Sequence, residues 1–178
     1  MLAAIAVAAI VAGCAAVPRE PPPAEGFEMT GRVAVRHGAE SATARMAWRH
    51  APAFDELMIS SPLGQGIAEL TRRDGVYSLQ TSDGRRVSAP DPEALTEEAL
   101  GWRLPLAGLP DWVRGRPQPG HAAETRYGDD RRATLVRQLG WTIEYLAWDD
   151  ATGLPSRLRL TREALDIRLA IDRWVTAP

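Results

Sequence analysis

From Phe27 onward, hydrophobic and polar side chains alternate through most of the chain, the period-two signature of strands with one buried face. Over 27–36, Met29, Val33 and Val35 fall on one side, and Glu28, Thr30, Arg32 and Arg36 on the other. The alternation returns over 42–49, where Ala42, Ala44, Met46 and Trp48 oppose Thr43, Arg45, Ala47 and Arg49, and over 54–60 through Leu57 and Ile59. Segments 67–72 and 76–81 flank Asp74-Gly75, and Asp83-Gly84 precedes 85–88. Each Asp-Gly supplies the positive φ that a tight hairpin needs, so the first half reads as an antiparallel meander. Strands are expected again at 132–138, 141–148, 156–162 and 165–174, punctuated by Gly140 and Gly153-Leu154-Pro155. The polar, glycine-rich 118–130 reads as a loop.

Between the two sets of strands the period changes. Asp91-Pro92-Glu93 offers an N-cap, a proline at the first helical position and an acidic first turn, and the run stops at Gly101, which predicts a helix over 92–100. A second helix is expected over 106–114, with Leu106, Leu109, Trp112 and Val113 on one stripe and Gly115 and Pro117 closing it. The fold class is therefore mainly β with a few short helices (α+β). Helices this short form no layer of their own, but they can lie across the mouth of an antiparallel sheet of about ten strands that curls or closes on itself. The inside of such a sheet is either packed solid or left open for a ligand, and strand parity does not separate the two.

Residues 1–13 form an uncharged apolar run, too short at ~1.5 Å per residue to cross a hydrocarbon core of ~30 Å, and read as a signal peptide. The run ends in Val11-Ala12-Gly13-Cys14, which resembles the bacterial lipobox, in which the cysteine is lipidated and becomes the mature N-terminus. No basic residue precedes the run, so translation is expected to start upstream. Against the lipid-attachment reading stands an inert Cys14 closing an apolar helix. Pro18, Pro21, Pro22 and Pro23 forbid that helix from continuing, and 14–26 reads instead as a lipidated N-terminus and proline-rich tether to a domain over 27–178. Acyl chains add roughly 0.8 kcal/mol per buried methylene, enough for a multiply acylated Cys14 to hold the domain on a membrane. By similarity to enteric lipoproteins, Ala15 after the cysteine, rather than Asp, points to the outer membrane.

Charge and composition narrow the chemistry. With 21 basic and 23 acidic residues the formal net charge is −2, so no nucleic-acid partner is expected. Every basic residue is Arg, and Lys and Asn are absent, which excludes a phosphate-binding P-loop, Schiff-base catalysis and N-glycosylation. A single Cys excludes an internal disulfide and a thiolate metal cage. His37, His50 and His121 share no spacing that would bring two onto one face and are expected on the surface, with no metal implied. Ser60 and Ser61 lack a nucleophile elbow, and Asp129-Asp130 and Asp149-Asp150 suit turns, so no enzyme is expected. Arg157, Arg159, Arg168 and Arg173 alternate with apolar residues and read as an outer face.

Two features carry a choice. Trp48, Trp141 and Trp174 lie in or beside strands and Trp102 and Trp112 flank the helices, where they either fill a core or wall a cavity for acyl chains. In Ser61-Pro62-Leu63-Gly64 an apolar side chain sits in a tight loop, either folded back on the sheet rim or exposed as a membrane probe worth about 1.5–3 kcal/mol when buried in lipid.

Four stretches together resemble the LolB family of outer-membrane lipoproteins: Gly31-Arg32-Val33-Ala34-Val35 with Trp48; Ser61-Pro62-Leu63-Gly64; Leu100-Gly101-Trp102-Arg103-Leu104-Pro105-Leu106 through Leu109, Trp112 and Gly115; and Gln138, Gly140-Trp141-Thr142-Ile143 with Arg168-Leu169 to Trp174. The resemblance implies an incomplete antiparallel β-barrel of about ten or eleven strands, capped by helices over a hydrophobic cavity. It implies a monomer that accepts cargo lipoproteins from the periplasmic carrier LolA and inserts them into the inner leaflet of the outer membrane, with outer-membrane lipids as the further partner. No cofactor is implied beyond the covalent lipid on Cys14. Pro62, Leu63 and Gly64 match the family's membrane-insertion loop, with Leu63 protruding. Given such a cavity, the residues expected to face it are Met29, Val33, Met46, Trp48, Leu57, Ile59, Trp102, Leu106, Leu109, Trp112, Trp141, Ile143, Tyr145, Ile167 and Leu169. Relatives place a helix between the lipidated cysteine and the first strand; here the tether stands in its place, so one element of the cavity cover is expected to be absent or supplied differently. A lipid or lipopeptide sensor on the same fold is the alternative.

Overall fold

The alternating segments become eleven strands of one antiparallel sheet. The computed structural model describes residues 25–100 and 103–176. The strands are β1 (Phe27–His37), β2 (Glu40–Ala51), β3 (Phe54–Ser60), β4 (Gly66–Arg73), β5 (Val76–Thr81), β6 (Arg86–Ala89), β7 (Ala123–Tyr127), β8 (Ala133–Gln138), β9 (Trp141–Trp148), β10 (Pro155–Arg162) and β11 (Leu165–Thr176), with α1 (Pro92–Leu100) and α2 (Leu109–Trp112) between β6 and β7. Their order across the sheet is β6-β5-β4-β3-β2-β1-β11-β10-β9-β8-β7. β6 and β7 are the two free edges, so the sheet is an open half-barrel, and the helical connection runs from one edge to the other over its inner face.

β1 and β11 join the two halves through a register that shifts between Thr30 and Gly31. A Cβ on Gly31 would collide with the Ala170 carbonyl oxygen, so this bulge closes only around glycine. Asp74 and Gly75 take φ of 52° and 78°, the positive-φ pair of the expected tight turn.

Three expectations are corrected. Residues 123–127, expected in a loop, form the edge strand β7. Only Thr125 of that strand is even half-buried, so no one-sided apolar pattern marks it. The helix expected over 106–114 reduces to the single turn α2, entered through tight turns in which Gly108 and Leu109 donate to the Pro105 carbonyl at 3.1 and 3.0 Å. Pro110 lacks the N–H that would have bonded to Leu106 and extended the helix backwards.

The third correction is His50, which is 8% exposed rather than solvated. It shares inward parity with Met46 and Trp48, and pairs across the strands with Asp55, as Asp55 does with Arg72. His50 Nδ1 lies 2.7 Å from Asp55 Oδ1, and the same carboxylate accepts from Trp48 Nε1 at 3.0 Å and from Arg72 Nε. The two terminal nitrogens of Arg72 donate to the carbonyls of Pro52 and Ala51, each at 2.9 Å. Every polar group of this row is thus answered, as burial requires, and the row seals one end of the inner face.

The outer-face arginines lie where alternation placed them. Arg36, Arg159 and Arg168 converge on Asp166, whose Oδ2 accepts from Arg159 at 2.9 Å. Hydrogen bonds from Arg159 are the leading cause that holds the Asp166 carboxyl below its usual range.

Candidate functional site

The inner face has two unlike halves. Beneath β8–β11 it is solid: Trp112, Val136, Ile143, Leu158 and Leu160 are all fully buried. Phe27 is wedged edge-on between Trp48 and Trp174 at 5.0 and 5.3 Å between ring centres. Trp112 Nε1 donates to Gln138 Oε1 at 2.8 Å, and the Tyr145 hydroxyl donates to the Trp112 carbonyl at 2.9 Å, which pins α2 onto the sheet. Burial pushes the Tyr145 phenol far up, so it remains a donor.

Beneath β1–β5 the face is hollow. A cavity of about 350 Å³ lies between these strands, the end of β11 and the helical cover. That is at the low end of the roughly 300–1,000 Å³ of ligand sites. Register builds its wall in rows. Ala44, Val33 and Leu169 are aligned across β2, β1 and β11, and Ala42, Val35 and Ile167 across the same strands. Met46, Ile59 and Ala68 form a third row, and Leu57, Leu70 and Leu79 a fourth. Thr96, Leu104, Leu106 and Leu109 supply the roof. The Thr96 hydroxyl donates to Glu93 O at 3.0 Å and accepts from Leu104 N at 2.9 Å, so the hydroxyl of the roof is already satisfied.

Among the described residues the only charged or imidazole side chains on the lining are His37 and Glu40, which with Ser41 form the exposed β1–β2 hairpin and mark the mouth. At the same end of the sheet lies the β3–β4 loop. Ser61 N donates to Gln65 O at 2.7 Å, Gly64 N to Ser61 O at 2.9 Å, and Gln65 N to Ser61 Oγ at 3.2 Å. Gly64 takes φ of 89°, open to glycine. This clamp drives Leu63 outward to 92% exposure, so it does not fold back on the rim.

Of the residues expected at the cavity, Val33, Met46, Leu57, Ile59, Leu106, Leu109, Ile167 and Leu169 line it. Trp112, Trp141, Ile143 and Tyr145 are instead buried in the solid half, and Met29 and Trp48 in the packed end of β1 and β2 beside Phe27, where ring packing and the Trp112 and Tyr145 hydrogen bonds use them as core. Trp102 and Cys14 lie outside the described residues. Sequence reasoning passed over Ala42, Ala44 and Ala68, whose inward parity was visible or derivable and whose small size is what leaves the space. Among the described residues no group of three or more His, Cys, Asp or Glu could hold a metal ion, and no helix is long and apolar enough to cross a membrane.

Fold and cavity together define the class: an open antiparallel half-barrel with an apolar pocket under a helical cover. The family model described as "Outer membrane lipoprotein LolB" matches residues 25–174, and the chain belongs to that family. It is 38% identical to the outer-membrane lipoprotein LolB of Thiobacillus denitrificans over 172 residues, covering 93% of this chain and 92% of the relative. The LolB protein of Pseudomonas aeruginosa is 38% identical over 152 residues, covering 84% of this chain and 74% of the relative. Among solved structures, a LolA superfamily protein from Nitrosomonas europaea superposes with a TM-score of 0.55 at 9% identity, covering 89% of each chain. A DUF1329 family protein from Desulfovibrio piger gives 0.56 at 7% identity over 86% of each. At those identities the likeness is one of fold. Family membership makes this chain an outer-membrane lipoprotein with a role in lipoprotein localisation.

Proposed function

We propose that this chain takes the acyl chains of cargo lipoproteins from the soluble carrier LolA into its cavity and releases them into the inner leaflet of the outer membrane. The observation that carries the reading is placement: the mouth of an apolar cavity and a protruding leucine lie at one end of one sheet. An acyl group on Cys14, followed by the proline-rich tether, would hold the domain on the periplasmic face of that membrane as a monomer. The exchange moves an apolar chain between apolar cavities, so no cofactor or bond chemistry enters. Its direction must come from a difference in affinity between carrier, cavity and bilayer.

In this reading Val33, Met46, Leu57, Ile59 and Leu169 contact the chain, Leu104 and Leu106 cover it, and Leu63 carries the mouth to the lipid surface. The test loads a fluorescent acylated cargo on the carrier and follows it to this protein and then to vesicles. Movement to the vesicles supports the proposal. Binding without onward passage would mark a sensor instead, and failure to bind would end both readings.

A further inference from the structure

The outer face carries a cluster of positive charge that the cavity does not use. In one row across β2, β1, β11 and β10 the residues are Arg45, Arg32, Ala170 and Arg157. Arg45 and Arg32 are direct cross-strand partners, an arrangement that destabilises a sheet unless something answers it. Arg32 has one answer, Asp172 at 2.9 Å, exposed to solvent. Among the described residues Arg45 and Arg157 have no carboxylate partner. Ala170, flanked by Arg32 and Arg157, leaves a notch, and one row on, Ala34 sits between Thr43 and Arg168. The result is a groove lined by Arg32, Arg45, Arg157 and Arg168, the last also paired with Asp166 at 3.4 Å, and among the described residues by no acidic side chain, with Ala34 and Ala170 as floor. Two further lining residues are apolar and exposed: Leu146, at 60%, and Pro62, the immediate neighbour of Leu63.

From this we infer that the groove seats the phosphate of an anionic phospholipid headgroup while Leu63 enters the same leaflet. Guanidinium forks match phosphate oxygens two at a time. The small-residue floor admits the group between them, and Leu146 and Pro62 suit the glycerol and first methylenes that come with a lipid rather than with free phosphate. The inference rests on the membrane-facing reading of the Leu63 loop, since Pro62 joins the two.

The test places the full chain in nanodiscs of phosphatidylcholine, alone or mixed with phosphatidylglycerol, and measures phenylglyoxal modification of each arginine by mass spectrometry. Arg45 and Arg157 should be protected several-fold in the mixed discs only, with protection fading as salt rises, while Arg126 on the far edge strand reacts equally in both. Arg45→Gln with Arg157→Gln should remove the lipid-dependent protection of Arg32 and Arg168 without altering the far-ultraviolet circular dichroism. Equal protection in both discs, or none, overturns the inference; equal protection by inorganic phosphate added to phosphatidylcholine discs overturns the assignment to lipid. If the arginines stay unprotected while Leu63→Glu still blocks delivery, only the headgroup site falls; if Leu63→Glu delivers normally, the loop reading falls as well.

Discussion

Under the proposed function, replacing Leu63 should separate holding cargo from handing it on. The side chain is 92% exposed and its loop is held by the backbone and Ser61 bonds rather than by packing. Leu63→Glu should therefore change folding stability by no more than about 0.5 kcal/mol. Nor does Leu63 line the cavity, so affinity for an acylated cargo should stay near the wild-type value. What the variant loses is transfer of one leucine into lipid, worth about 1.5–3 kcal/mol. At about 1.4 kcal/mol per tenfold, membrane-engaged molecules should fall by roughly ten- to a hundredfold before any cost of bringing a carboxylate to the bilayer. The assay pairs cargo capture from the carrier in solution with cargo sedimentation on vesicles. Capture should survive and delivery should fail, with Leu63→Met restoring delivery. A Glu variant that delivers at the wild-type rate, or one that loses capture and delivery in parallel, would refute the reasoning.

Other consequences are as direct. Ala44→Phe puts a ring into the cavity between Val33 and the roof, so binding of a fluorescent fatty probe should drop at least tenfold while the thermal midpoint holds or rises. Tyr145→Phe removes the 2.9 Å bond to the Trp112 carbonyl and should cost about 1 kcal/mol in a denaturant titration, leaving probe affinity unchanged because Tyr145 is off the cavity wall. The Asp166 carboxyl titrates below its unfolded value of ~3.9, so the stability it supplies is complete above that pH and lost as pH falls through the lower folded value. Asp166→Asn should then lower stability by about 1 kcal/mol at neutral pH and leave acid unfolding less steep below about pH 4, read from denaturant midpoints across pH. Amide exchange in α1 should be faster than in β1 and β11 if the cover opens for cargo, and equal protection would rule out opening there.

Most of the sheet was legible because its residues alternate, and what was not legible failed for identifiable reasons. Strands β1 to β6 and β8 to β11 bury one face, and each leaves a two-residue rhythm. Edge strand β7 buries neither face enough to leave one. The α2 segment has a helical stripe, but Pro110 cuts it to one turn, a limit set by a missing N–H rather than by hydrophobicity. His50 was misplaced because a titratable residue near a strand end suggests solvent. Its parity with Trp48, and that of Asp55 with Leu57, pointed inward. The Leu63 loop could be read either way from sequence; a Ser61 to Gln65 clamp decides it, and that clamp is a matter of backbone geometry.

The division of the inner face into solid and hollow halves follows from side-chain volume once the register is known. At the solid end Met29 lies between Trp48 and Trp174, with Phe27 filling the space above, so large groups face large groups. Along the other end Val35 faces Ala42, Val33 faces Ala44 and Ile59 faces Ala68, so each pair comes up short by most of a side chain. A helix with bulky inward residues could close that deficit, but among the described residues the roof offers only Thr96, Leu104, Leu106 and Leu109. A void left by missing methylenes costs stability on the order of 24 cal/mol per Å³. Because the walls are apolar and the hydroxyl of Thr96 is already satisfied, water gains few partners there, and such cavities stay dry and accept apolar ligands. The small inward alanines of β2 and β4, more than any tryptophan, are therefore where the sequence writes the cavity.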